Sequence, residues 1–295
     1  MTLPTDSEVL ARVAPALARH GRVALCQLLR TEGSTPGKTG WKLLVEPGGR
    51  ATGNLGGGAF EALVKRDAAD KLAQTAPRPE IRRYYLTEEA TRGEATGMVC
   101  GGMAEVLLEV LSAKPLLVAY GGGPVAQALA SNAVLCGFEV LIVEDREAFR
   151  DPALFPEGTR FAAVRRDDAG GFLAAESARD LYVAVVSRCW ETDLAAMEAI
   201  AREAPAALCY LGLMGSERKV RRILDELAGR GLRLPAELQA PIGLPIGAET
   251  PGELAVSILA EMIARRRATR PETIAGAERA PSARDELTTV TESDR

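Results

Sequence analysis

The chain has 295 residues, 47% of them hydrophobic and 26% charged, with 36 Lys and Arg against 40 Asp and Glu. That profile suits an ordinary folded protein of two modest domains and excludes disorder along its whole length. A net charge of −4 offers no footprint for nucleic acid or an anionic membrane, so neither is an expected partner.

The five cysteines, at 26, 100, 136, 189 and 209, are odd in number and form no CxxC pair. A zinc ribbon or disulfide framework is therefore excluded, and free thiols point to a reducing, cytoplasmic compartment. No basic stretch followed by an apolar core opens the chain, so no signal peptide is expected. The one histidine, His20, rules out His-cluster metal sites and most catalytic triads. It precedes Gly21 and reads as a residue in a helix's last turn. No metal site of the chain's own is expected.

In chain order, apolar spacing predicts a helix over 6–20, ending at Gly21, with Pro15 in its middle. Strands follow over 23–29 and 41–46, then a Pro-Gly-Gly turn and a return segment at 51–55. A helix over 59–74, strands over 81–86 and 104–111, and a Gly-rich loop at 93–102 complete an α+β first half. After Ser112 the pattern changes to strand 116–120, helix 124–136, strands 139–143, 161–164 and 181–187, helix 191–203, strand 207–211 and helix 216–230. Apolar β runs alternating with amphipathic helices mean a parallel sheet with right-handed crossovers. The last helix, 251–267, starts with a capping box of Thr250 and Glu253 around Pro251.

The expected fold class is thus α/β. A small N-terminal α+β domain (1–112) precedes a Rossmann-like parallel-sheet domain (113–267), and 268–295, poor in large apolar residues, reads as a disordered tail. The charge-free run from Pro115 to Phe138 is long enough for a bilayer. The glycines and Pro124 in its middle make it a strand, a turn and a helix instead.

Five segments are candidates for chemistry. Gly121-Gly122-Gly123, with Ala126, follows a strand and opens a helix, the arrangement that seats a pyrophosphate on a helix N-terminus. Asp145 lies where a ribose-binding acid belongs. The GSTPGKT segment at 33–39 mimics a phosphate loop, but Glu32 stands where the Walker spacing needs glycine and a strand follows, so ATP hydrolysis is rejected. Gly56-Gly57-Gly58 before a helix forms either an anion nest or a plain tight turn. Cys100, in a glycine loop, is either a reactive thiolate or a structural turn residue, whereas the other four cysteines read as buried bulk. Ser216 caps a helix whose N-terminus could also receive an anion.

Together the segments GSTPGKTGWKLLV (33–45), GNLGGGAFE (53–61), MVCGG (98–102), LLVAYGGGPVA (116–126), VEDR (143–146), LGLMGSERK (211–219) and PIGLPIGAETPGELAVSILAEM (241–262) resemble the xanthine dehydrogenase accessory factor (XdhC/CoxI) family. The GMVCGG form resembles its aldehyde oxidoreductase maturation subgroup. The resemblance implies a non-catalytic chaperone that binds the molybdenum cofactor, as molybdopterin or its cytosine dinucleotide. It implies protection of that cofactor during sulfuration by a cysteine desulfurase, and delivery to an apo molybdoenzyme of the xanthine oxidase family. Carried onto this chain, it places cofactor contacts at Gly56, Gly57, Gly58, Glu61, Gly121, Gly122 and Gly123, and a sulfur ligand or acceptor at Cys100. Where the family often has a Thr-His pair this chain has Ser187-Arg188-Cys189, so Arg188 becomes a fixed cation for phosphate. Ala59 removes a thiol found in some members, and Pro245 replaces a usual acid.

The competing expectation is an NAD(P)-dependent oxidoreductase using the glycine loop and Asp145, for which Lys219 is the candidate proton relay. A homodimer is the default assembly because twofold oligomers are the commonest, and a cleft between the domains is where a ligand is expected.

Overall fold

The computed structural model describes residues 5–74, 77–86, 94–95, 101–165, 170–171, 173–176, 178–203, 205–234 and 238–268. Apart from residue 268, the expected tail lies outside this range, as does most of the loop at 93–102.

The first unit is a six-stranded sheet. Its strands are β1 (Arg22–Glu32), β2 (Lys42–Val45), β3 (Ala51–Gly53), β4 (Glu80–Leu86), β5 (Glu94–Ala95) and β6 (Gly102–Ser112), in the order β3-β2-β1-β6-β4-β5. β1 pairs antiparallel with both β2 and β6, so Cys26 faces Leu43 on one side and Leu108 on the other. Alternation along β1 sends Ala24, Cys26 and Leu28 to one face, where helix α2 (Gly58–Leu72) covers them with Phe60 and Val64. Val23 and Leu44 pack on the other face under Val9 and Ala16 of α1 (Asp6–His20). Thr5 and Glu8 close a capping box at the start of α1. Asp67 of α2 is buried but satisfied, accepting from the Tyr84 hydroxyl at 2.7 Å and pairing with Arg82 at 2.8 Å. A buried carboxylate persists only when so partnered.

The second unit holds β7 (Leu116–Tyr120), α3 (Pro124–Leu135), β8 (Glu139–Glu144), β9 (Arg160–Ala163), β10 (Leu181–Val185), α4 (Trp190–Glu203), β11 (Leu208–Leu213), α5 (Glu217–Gly229), β12 (Leu238–Gln239) and α6 (Pro251–Ala268). All pairings are parallel, in the order β12-β11-β10-β7-β8-β9. Chain order reverses between β7 and β10, which is the switch point of a doubly wound Rossmann sheet. Every residue of β7 and β10 is buried because helices cover both faces. One core joins α3 and α6 to the sheet through Leu129, Ala130, Ile258 and Met262. The other joins α4 and α5 through Met197, Ile200, Ile223 and Leu227. Thr250 and Glu253 bond reciprocally at the head of α6, as expected. Among the described residues no helix is long and apolar enough to cross a membrane.

The fold class agrees with expectation, while β12 and the short 3₁₀ turns at 147–149, 152–154 and 174–176 escape the sequence pattern. They are too short to show a period.

The units meet at the start of β1. Gly21, at φ 71°, lies so close to Ala178 that an added Cβ would fall 1.4 Å from its carbonyl oxygen, so only glycine fits. Beside it Arg22 pairs with Asp180 at 3.2 Å. This contact joins one end of the antiparallel sheet to the amino ends of the parallel strands. The loop after β1 therefore lies at the far end of that strand from the boundary, and the loop after β7 at the carboxyl ends of the parallel strands. At about 3.4 Å per residue, the loop after β1 stands roughly 35 Å from the boundary and the loop after β3, level with Cys26, roughly 15 Å.

Candidate functional site

Strand β7 delivers the chain into the glycine turn at the switch point. Gly121 has φ 113°, and an added Cβ would lie 2.9 Å from the Ser187 Cα. Gly122 sits against the Phe149 carbonyl, where a Cβ would come within 2.3 Å. Around Gly123 nothing lies within 4 Å of the Cβ position. Gly123 is the N-cap of α3, has no side chain to cap with, and Pro124 follows at N1. The first-turn N–H groups of α3 have no intrahelical acceptor, so an open, donor-rich surface with a positive dipole end faces outward.

The residue that reaches this loop from β8 is Glu144. Its side chain is 2% exposed, and it accepts from the Gly122 N–H at 2.7 Å, the Arg146 N–H at 3.0 Å and the Arg146 guanidinium at 2.9 and 3.0 Å. Asp145, the expected ribose acid, turns instead to Arg188, which donates to both its oxygens at 2.7 and 2.9 Å. That pairing with Arg188, more than the opposing pull of burial, holds the Asp145 carboxyl below its ordinary range and pushes the Arg188 guanidinium up. Both acids line the switch-point cleft with Tyr120, Gly121, Ser187 and Arg188. The enclosed space is about 20 Å³, room for one water. Gly123, outside the cleft's lining, is the open position of the loop.

A polar cluster missed by the sequence analysis supports the opposite lip. The Ser187 hydroxyl bonds to Thr192 at 2.5 Å and to Asp193. Asp193, with no exposed surface, also pairs with Lys219 at 2.5 Å. Burial raises the Asp193 pKa despite these partners. The signal available in the sequence was an acid on the apolar face of α4, which has to find a partner when buried. Lys219, the candidate proton relay, is thus committed to a buried carboxylate. Ser216 caps α5 as expected, accepting from the Lys219 N–H at 3.4 Å.

Gly56, Gly57 and Gly58 all take positive φ, at 123°, 75° and 63°. Their backbone does form a nest, and the chain fills it. One Glu61 oxygen accepts from the Leu55 and Gly57 N–H groups at 3.2 and 3.3 Å, the Asn54 side chain takes the Gly56 N–H, and the other Glu61 oxygen pairs with Lys65 at 2.8 Å. Burial pulls the Glu61 pKa up, but Lys65 and the two backbone donors outweigh it, so it lies below the ordinary value. The GKT segment leads into β2, and Gly37 abuts the Leu55 carbonyl, so it cradles nothing.

Cys100 lies outside the described residues. The reading of the other cysteines as buried bulk is corrected for three of them. Cys26 is fully buried, and burial pushes its thiol up to about 12, but Cys136 and Cys209 are exposed and Cys189 is half-buried. These three stand at a helix end, at the start of β11 and in the loop before α4, where apolar neighbours in sequence do not imply apolar neighbours in space. Among the described residues no cluster of His, Cys, Asp and Glu could hold a metal ion.

The model described as XdhC Rossmann domain matches residues 117–262, and that of the XdhC and CoxI family matches residues 16–85. Together they span nearly three quarters of the chain. The chain belongs to the XdhC and CoxI family. It is similar to an Escherichia coli K12 protein named uncharacterized protein YqeB, at 32% identity over 81% of this chain and 43% of that one. It is also similar to a Bacillus subtilis protein named as a probable xanthine dehydrogenase subunit, at 28% identity over 65% and 53% of the two chains. The chain thus spans about half the length of the curated relatives it matches. A solved Bacillus halodurans structure, described as a xanthine dehydrogenase, aligns at TM-score 0.44 and 19% identity over 88% of this chain and 96% of that one.

Proposed function

We propose that this XdhC-family chain is a molybdenum cofactor chaperone. It binds the cofactor, protects it, assists its sulfuration by a cysteine desulfurase and inserts it into a xanthine oxidase-family enzyme, either a xanthine dehydrogenase or an aldehyde oxidoreductase. The observation that carries this reading is the open Gly123 at the head of α3 within the matched XdhC Rossmann domain. The name of the Bacillus subtilis relative supports the class of partner.

The residues present fit a phosphate or pyrophosphate. Gly123 and the first turn of α3 offer N–H donors, and Arg188 stands across the cleft with its charge held in place by Asp145. The Glu144 carboxylate, bonded to Gly122 and Arg146, excludes a second anion from the floor of the loop and directs the phosphate outward. The cofactor itself supplies a molybdenum centre for the target enzyme's oxidation chemistry. Cys100 is the proposed sulfur ligand or acceptor.

The test is an anaerobic competition. The purified chain is mixed with isolated molybdenum cofactor and NAD(P)H, ultrafiltered, and the retained pterin and nicotinamide are quantified. Stoichiometric pterin is the expected result, and nicotinamide retained without pterin would replace the proposal by the oxidoreductase reading. A Cys100→Ser chain is expected to fold and bind cofactor but to deliver it inactive. Normal activation of the target by that variant would remove Cys100 from the mechanism.

A further inference from the structure

One face of the first sheet is covered over only half its width. Alternation sends Leu25 of β1, Leu107 and Glu109 of β6 and Ile81 of β4 to the face opposite α2. There α1 lies over β1, β2 and β3, with Val13 and Leu17 packed beside Leu25. Among the described residues no helix lies over β4 on this side, and Ile81 is 57% exposed. Register sets Ile81 opposite Leu107, so an apolar row crosses the bare half. The outward side of α1 is equally unfinished. Leu10 is 48% exposed, and Ala11, Ala14 and Pro15 beside it are exposed too, where a solvated helix face carries polar residues.

The two apolar surfaces complement each other through a twofold axis. An axis along the strands, above the line between β1 and β6, turns the covered half of one copy onto the bare half of another. Each α1 then lies between two sheets, its own on one side and the second copy's β6 and β4 on the other. An axis across the strands sets α1 against α1 and leaves a helix-wide gap over both bare halves. Only the first arrangement covers both surfaces. It also keeps every residue at its own level along the strands.

Charge fits the same arrangement. Around these surfaces Asp6 pairs with Lys42 at 2.8 Å, Arg19 with Glu46 at 3.3 Å and Arg83 with Glu105 at 2.6 Å, all within one copy. Exposed Arg12 on α1 and partly buried Glu109 on β6 have no ion-pair partner among the described residues. The two stand at one level. Lys42 faces Gln27, so its bond to Asp6 sets the head of α1 beside Gln27. From Asp6 to Arg12 the helix rises about 9 Å, which matches roughly two and a half residues of β1. Because α1 runs antiparallel to β1, Arg12 stands level with Leu25, whose partner on β6 is Glu109.

We propose that this face is the interface of a homodimer. In it α1 of each copy covers the β6 and β4 half of the other, Leu10 packs on the row of Leu107 and Ile81, and Arg12 pairs with the second copy's Glu109. The inference does not depend on the chaperone reading, because it concerns different residues and its test uses neither cofactor nor molybdoenzyme.

The experiment takes the mass of the full chain by light scattering and its dissociation constant by sedimentation over a range of concentrations. A dimer is expected. Leu10→Glu and Ile81→Glu, both at exposed positions, should each weaken it about tenfold or more, with the circular dichroism spectrum unchanged. Arg12→Glu and Glu109→Arg each set like charges face to face, and each alone should weaken it several-fold. Mixed together, these two variants restore opposite charges at both contacts, so their heterodimer should form with the affinity of the parent. A monomeric parent, or a dimer indifferent to Leu10→Glu and Ile81→Glu, overturns the interface. A mixture no tighter than either charge variant alone overturns the pairing of Arg12 with Glu109.

Discussion

The two glycine-rich turns of this protein, one in each unit, are built alike and end differently. Both present backbone N–H groups at the head of a helix. At Gly56–Gly58 the neighbouring Glu61 swings back and takes the Leu55 and Gly57 N–H groups, and Asn54 takes that of Gly56. At Gly121–Gly123 the neighbouring carboxylate, Glu144, takes only the Gly122 N–H and leaves Gly123 open. Glycine makes an anion nest possible, but the reach of the nearest acid decides whether a ligand or the chain occupies it. Glu61 lies one turn into its own helix, so its side chain returns to the N-terminus as a capping acid does. Glu144 arrives from the next strand, from below.

The comparison breaks most severely at Gly123. Gly123→Asp puts a carboxylate on the open donors without steric cost, and a like charge against phosphate costs several kcal/mol. Cofactor retention is expected to fall about 100-fold with melting unchanged. Unchanged affinity in a folded variant would show that this loop is not the site. Next is Gly122→Ala, whose Cβ would collide with the Phe149 carbonyl. A destabilisation of about 1–3 kcal/mol, read by denaturant titration, separates its packing role from the binding role of Gly123.

Glu61→Gln sharpens the other side. Losing charged acceptance from two backbone donors and Lys65 should cost about 1–2 kcal/mol at neutral pH. Because the Glu61 pKa is lower in the folded chain than in the unfolded one, its contribution is complete above the ordinary carboxylate range. It is lost as pH falls through the depressed value. Parent and variant stabilities should therefore converge in acid, and a gap that stays constant with pH would refute the self-filled nest. The smallest effect is expected from Arg188→Ala. The partly exposed pair with Asp145 should contribute under about 1 kcal/mol. The Asp145 pKa, followed by NMR titration, should nevertheless rise toward its ordinary range.

Much of the fold was legible because its signals are local. The period of the apolar residues, the Gly21 stop, the capping pair Thr250 and Glu253, and the strand–glycine–helix unit at 116–135 each follow from residues a few positions apart. The switch-point loop was legible for the same reason. The acid that bonds the loop backbone, Glu144, was not singled out, since neighbours in a strand point to opposite sides and spacing along the chain does not say which side faces the loop. The cluster of Ser187, Asp193 and Lys219 joins three elements and left only the trace of an acid on a buried helix face.

The sequence by itself determined the two units and the parallel sheet that βα alternation implies, because these rest on backbone propensity and apolar spacing, while its motifs carried the family resemblance. Tertiary structure alone decided which glycine turn stays open and which carboxylate fills the other. It also decided that Gly21 abuts Ala178 and that Arg22 pairs with Asp180 where the units meet. These depend on where side chains from distant segments end, and that is set by packing rather than by any local pattern.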